Sequence, residues 1–185
     1  YKTKDIRNIA LLGHGSEGKT TLTEAMLFAA GMIDRQGKVE AGTTVTDFDA
    51  EENKRGISIS AATAPVEWKG TKINLPGYFD FIGEMMGPLR VVETAAIVVG
   101  AVSGLTVGAE KAWAYAKKNN VCRMFIVNRM DAENANYEKT IEQLREKFGS
   151  SVVPLMLPIG EGAKFTGVVN VLGNKAYSGK GKDLK

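Results

Sequence analysis

An apolar run of strand length, IRNIALLG at residues 6–13, breaks directly into GHGSEGKT, Gly13 to Thr20, and then into TTLTEAMLFAAG, whose apolar residues recur at helical spacing. A strand, a glycine loop and a helix in immediate succession commit the chain to an α/β architecture. The loop fits G-x-x-x-x-G-K-[ST], and its position between strand and helix is the context that gives the pattern meaning. Glycines allow backbone N–H groups to converge on a phosphate at a helix N-terminus, Lys19 adds a cation, and the Thr20 hydroxyl suits Mg²⁺. Gly13, His14, Gly15, Ser16, Glu17, Gly18, Lys19, Thr20 and Thr21 are the candidate phosphate-binding residues. For His14, the single histidine, packing or hydrogen bonding is expected rather than catalysis.

Further strand-length runs stand at 57–68, 71–75, 95–102 and 122–128, several of them apolar on both faces, as buried parallel strands are. Between them FIGEMMGPLRVVE, TVGAEKAWAYAKKNN and ANYEKTIEQLREKFG carry helical spacing; in the last, Tyr137, Ile141, Leu144 and Phe148 share a face and Gly149 supplies the stop. Strands alternating with helices predict a mostly parallel sheet with right-handed crossovers, with one hairpin expected at Lys69-Gly70.

With 185 residues and 44% hydrophobic content, one core and one domain with an appendage are expected. A net charge of +3 is too small to imply a nucleic-acid surface, so no specific DNA partner is expected. The longest greasy region, VVETAAIVVGAV, carries Glu93 and is too short for a membrane span, so no membrane partner is expected. One cysteine, Cys122, excludes an intrachain disulfide and reads as a buried small residue inside VCRMFIV. Without a cleavage pattern before the first strand, a cytoplasmic location is expected; Tyr at position 1 suggests a stretch from within a longer chain.

The second chemical signal is Asn128-Arg129-Met130-Asp131, at the carboxyl end of the strand CRMFIV, where open parallel sheets bind ligands. A carboxylate at Asp131 accepts from the N1–H and 2-amino donors of guanine, which adenine lacks. Asn and Asp also serve as turn and helix-cap residues, the plainer account of the same stretch.

Taken together, GHGSEGKTTL, RGISIS, PGYFDF, NRMD and VVPLMLPIGEGAKFTGVVNVLGNKAY resemble the amino-terminal GTPase domain of the bacterial translation elongation factor G family, closest to its elongation factor G-like subgroup. The resemblance implies a doubly wound α/β fold of the P-loop GTPase type, with residues 1–148 as the GTPase core and 149–185 as the start of an inserted subdomain. From composition alone, 149–185 read equally as a continuation of the sheet. The implied cofactors are GTP or GDP and Mg²⁺, and the implied partner, through a full-length protein, is the ribosome. Lys19 and Thr20 would hold the β-phosphate and Mg²⁺, and 46–59 would be the first switch, with the Ser58 hydroxyl as its metal ligand where the family usually has Thr. Gly77 would meet the γ-phosphate and Tyr78 would orient the attacking water, so Tyr78, Gly77 and Lys19 are the implied catalytic residues. Asn128 and Asp131 would read guanine while Arg129, in place of Lys, covers the base.

Several departures bear on chemistry. Tyr78 stands where the family has His, and a phenol with pKa near ~10 is a poor base. Ser16 replaces a frequent acidic residue, and the serine-alanine motif that completes the guanine pocket is absent. Between Leu75 and Pro76 the family carries an apolar residue, Asp and Thr, which INLPGYFDF lacks; Asp80, beyond the turn, belongs to the family's own pattern and is no substitute. Either the strand has lost three residues, roughly 10 Å of length, or the sequence joins two stretches across a missing one. Three functions follow: a GTP-hydrolysing translocation factor, a ribosome-associated guanine-nucleotide-binding module with little hydrolysis, and an ATP-using P-loop enzyme, the last disfavoured by Asp131.

Overall fold

A computed structural model describes residues 1–47, 49–55, 62–76 and 86–179. Among the described residues, five strands form the main sheet: β1 (Ile6–Gly13), β2 (Thr63–Trp68), β3 (Thr71–Pro76), β4 (Thr94–Gly100) and β5 (Cys122–Asn128), in the order β2-β3-β1-β4-β5. β1 runs parallel to both neighbours, while β2 returns antiparallel to β3. The hairpin forms because Lys69 and Gly70 both take positive φ, 48° and 79°, the twist that suits a two-residue turn between strands.

Contacts divide the described chain into two compact units, 1–98 with 107–126 and 99–106 with 127–185. In the first, α1 (Lys19–Ala29) packs on β1 and β2, burying Leu27 with Ala64, Val66 and Leu75, while Ile9 and Ile73 close the cluster. Each large apolar side chain buried there contributes about 1.5–3 kcal/mol. A short helix α2 (Ala50–Arg55) follows, and α3 (Val107–Lys118) lies against β1, its buried Ala109, Ala112 and Ala116 allowing close approach. Ala10 to Gly13 and all of β4 after Thr94 are buried, as strands covered on both faces must be. At the opposite end of the sheet, Glu93 receives Asn8 N–H at 2.8 Å and Asn8 Nδ2 at 3.0 Å, and Asn74 Nδ2 donates to Asn8 Oδ1 at 2.8 Å. The three side chains tie the start of β4 to β1 and β3.

The second unit holds α4 (Tyr137–Phe148) and a separate antiparallel sheet, β6 (Met156–Ile159), β7 (Gly167–Asn170) and β8 (Lys175–Ser178), in that order. Asn136 caps α4 by accepting from Lys139 N–H at 2.9 Å, and Gly149, at φ 91°, ends it. The Tyr137 hydroxyl donates to the Met156 carbonyl at 3.1 Å, joining helix to sheet. Residues 156–178 therefore build their own sheet and do not extend the main one.

Two other expectations are corrected. Cys122 is exposed, because β5 stands last among the described strands of the sheet and has no fully buried position, Cys122 and Met124 being exposed and the rest half-buried; its apolar composition does not mean cover on both faces. Of the helix expected across 81–93, the described part, from residue 86, is a turn followed by a single 3-10 turn at Pro88–Arg90. Gly87 takes the α conformation, but the turn stops at Val91, whose φ of -121° and ψ of 8° leave the helical region. Leu75 and Pro76 are consecutive rungs of β3, opposite Ala64 and Thr63.

Candidate functional site

The phosphate loop belongs wholly to the first unit. β1 delivers Gly13 against β4 so closely that a Cβ there would stand 2.4 Å from the Val98 carbonyl oxygen, and its φ of 141° favours glycine besides. Ser16 and Gly18 also take positive φ, 62° and 86°, which curls the loop before α1 begins. A non-glycine residue in that region carries strain of the kind found at ligand sites. Leu22 N–H donates to the Gly18 carbonyl at 2.8 Å, the first bond of the helix.

Lys19 is buried, and its Nζ donates to the carbonyls of Gly13 at 3.0 Å and His14 at 2.7 Å. The ammonium thus holds the loop closed from inside while lying at the N-terminus of α1. Thr20 and Gly15 are half-buried, Glu17 is buried, and His14, Ser16 and Thr21 are exposed. A Cβ on Gly108, at the start of α3, would meet His14 Cα at 2.8 Å, so that glycine makes room for the loop.

The Asn128–Asp131 turn lies in the second unit, at the end of β5. The Asn128 carbonyl accepts from Ala101 N–H at 2.8 Å and the Met130 carbonyl from Gly162 N–H at 2.7 Å, which fixes the turn at both ends. Met130 is buried at 7% exposure while Arg129 and Asp131 are exposed, so the turn anchors on its third residue and presents the residues either side of it. Arg129 takes φ 58°, a left-handed conformation that nothing in the sequence signals.

Ser58, Gly77, Tyr78 and Asp80 lie outside the described residues. What leads to them is described. β1 and β3 pair Ile6 with Lys72, Arg7 with Ile73 and Asn8 with Asn74; continuing that register sets Pro76 level with Ala10.

The family described as Elongation factor Tu GTP binding domain matches residues 4–182. The chain belongs to this family of GTP-binding domains. The family's members are GTPases, and the mixed, mostly parallel sheet found here is the P-loop GTPase fold. Among relatives, elongation factor G of Chlamydia trachomatis is 42% identical over 173 residues, covering 92% of this chain and 25% of that protein. An elongation factor G-like protein of Thermotoga maritima is 38% identical over 177 residues, 94% of this chain and 25% of that one. A mitochondrial ribosome-releasing factor 2 of Culex quinquefasciatus is 40% identical, over 91% of this chain and 23% of its own length. A crystal structure of a Thermus thermophilus protein superposes with a TM-score of 0.89 at 38% identity, over 97% of this chain and 27% of that chain. The chain thus spans about a quarter of the length of the relatives it matches.

Glu24 was not singled out by sequence. A lone acidic residue in TTLTEAMLFAA reads as a solvent-facing helix position, yet it is fully buried. The available signal was its place three residues before Leu27, on the face that packs.

Proposed function

We propose that this chain is the nucleotide-binding part of a longer cytoplasmic translation factor that acts on the ribosome, binding GTP and GDP with Mg²⁺ and hydrolysing GTP. The observation that carries the reading is the loop Gly13–Thr20, with Lys19 buried against its own carbonyls at the start of α1, in a chain that belongs to a GTP-binding family. Backbone N–H groups of residues 15–20 and the Lys19 ammonium suit a β-phosphate. Asn128, Arg129 and Asp131 suit guanine, Arg129 as a flat cover and Asp131 as the acceptor for two donors. Mg²⁺ fits the donors present: this ion keeps water and substrate phosphates in its shell and needs few protein ligands, so the half-buried Thr20 hydroxyl and Ser58 suffice. When bound it neutralises charge on the β- and γ-phosphates. Tyr78 orients water near the γ-phosphate, and Gly77 meets that phosphate with its N–H.

A second reading, a nucleotide-binding module with little intrinsic hydrolysis, is favoured by Tyr78 in place of a histidine and by the lack of an Asp between Leu75 and Pro76. Affinities for GTP, GDP and ATP, measured with and without Mg²⁺ in this chain and in a longer form, test the first reading. Equal affinity for ATP and GDP would overturn it. GTP turnover measured with ribosomes decides between the two.

A further inference from the structure

Both oxygens of the buried Glu24 carboxylate are occupied by backbone donors. Oε2 accepts from Gly37 N–H at 2.9 Å and Oε1 from Val45 N–H at 2.7 Å. One carboxylate on α1 thereby pins both feet of the segment 37–45. The segment is closed within itself: Lys38 N–H donates to Thr43 Oγ1 at 3.0 Å, Thr43 N–H to the Lys38 carbonyl at 3.2 Å, and Gly42 N–H to the Val39 carbonyl at 3.0 Å. It is also tightly built, since a Cβ at Gly37 would stand 2.4 Å from the Thr43 carbonyl oxygen and 2.8 Å from Glu24 Oε2. A buried carboxylate is costly unless each lone pair is satisfied, so these two bonds are held strongly. Val45 is the residue immediately before 46–59, the stretch that reads as the first switch. Lys19 and Thr20 begin the helix that carries Glu24.

We propose that Glu24 is a positioning residue that sets the amino-terminal boundary of the first switch, clasping 37–45 to the phosphate-binding helix so that nucleotide-dependent rearrangement starts after Val45. The inference rests on the GTPase reading above. It assigns 37–45 to the fixed scaffold despite its lack of regular structure apart from the 3-10 turn Val39–Ala41. It also explains why the boundary tracks the phosphates: the clasp and the phosphate loop share one rigid element, so the switch starts from a point fixed relative to the nucleotide.

Amide hydrogen exchange of the protein, saturated in turn with Mg²⁺–GDP and with a Mg²⁺-bound non-hydrolysable GTP analogue, tests this. In the wild type, Gly37 and Val45 should exchange slowly and equally in both states, with the difference between states beginning after Val45. Glu24→Gln places an amide donor against one of the two N–H groups and opens one foot. Exchange across 37–45 should rise roughly 10- to 100-fold, as expected for loss of one buried charge-assisted bond. The difference between GDP and analogue should now extend back into 37–45, while GDP affinity stays within about two-fold because no phosphate contact changes. Equal acceleration in both states would reduce Glu24 to a structural residue and overturn the proposal. Should the variant not fold, the wild-type comparison still decides: a γ-phosphate effect within 37–45, or none anywhere after Val45, overturns it. Failure to bind any guanine nucleotide would instead refute the GTPase reading itself, which the affinity measurements report separately.

Discussion

Inserting Ile-Asp-Thr between Leu75 and Pro76 should accelerate GTP hydrolysis, and the register of β3 says where each new residue would go. Continued past the pairs Ile6–Lys72, Arg7–Ile73 and Asn8–Asn74, the register of β1 and β3 would set the inserted Ile level with Ala10, Asp with Leu11 and Thr with Leu12. Ala10 and Leu12 are fully buried and Leu11 is 1% exposed, so a longer β3 would meet strand positions already built for a neighbour. The gain in length is roughly 10 Å, three residues of extended strand. A carboxylate there orients water around Mg²⁺ without touching the ion, and such partners are worth about 10- to 100-fold in metal affinity. Mg²⁺ should therefore bind the GTP complex about 10- to 100-fold more tightly in the insertion variant, and single-turnover phosphate release at limiting Mg²⁺ should accelerate by a comparable factor. GDP affinity without Mg²⁺ should hardly change, because Lys19 and the loop are untouched. Insertion of Ile-Asn-Thr restores the length without the carboxylate and separates the two effects. An insertion variant that melts cooperatively, binds GDP normally and hydrolyses GTP no faster would refute the reasoning.

Asp131→Asn should shift preference from guanine to xanthine nucleotides, read by competition between GDP and XDP. Lys19→Ala should weaken GDP binding by about 1.5–3 kcal/mol, roughly 10- to 150-fold, in a fluorescence titration; an unchanged dissociation constant would make the loop a mere turn. Gly13→Ala, which drives a Cβ into the Val98 carbonyl, should lower thermal stability by an amount of order 1–3 kcal/mol. The Asn8 side chain and then the Asn8 backbone N–H hold the Glu93 carboxyl below its ordinary range, so this contact stabilises the fold above the unfolded carboxylate pKa and is lost as pH falls through the folded value. Glu93→Gln should therefore lower the melting temperature at neutral pH, with the gap to wild type closing under acid; a gap that persists would show that the carboxylate charge is immaterial.

Legibility in the sequence followed local physics. β1, α1, the Lys69-Gly70 hairpin and α4 were readable because composition, spacing and turn chemistry agree there: Asn136 and Gly149 bracket α4 as cap and stop. The edge position of β5 was not, since CRMFIVN is as apolar as a central strand and only the sheet order exposes Cys122. Helical spacing around residue 87 yields, among the described residues, only the 3-10 turn Pro88–Arg90, which stops at Val91. The short strands β6 to β8 carry too few residues each to show a period. At the site, the loop motif located the phosphate residues, but the inward turn of Lys19, the left-handed Arg129 and the burial of Glu24 depend on partners distant in sequence or on backbone geometry.

β1 is the first strand in the chain and lies between β3 and β4. Its partners come late: Ile6 pairs with Lys72, and Gly13 with Val98. During synthesis the phosphate loop thus leaves the ribosome well before the strand that holds Gly13 in place. At about 5–20 residues per second the wait is roughly 4–17 s. Through that interval Ala10, Leu11 and Leu12, all buried in the finished fold, lack their β4 partners Ala95, Ala96 and Ile97. Only the hairpin of β2 and β3 can form from neighbours in the chain, on a microsecond scale. A nascent chain of this kind completes its nucleotide site late, after β4 and then β5 with the Asn128–Asp131 turn have emerged, and until β4 arrives it offers chaperones the apolar stretch Ala10–Leu12.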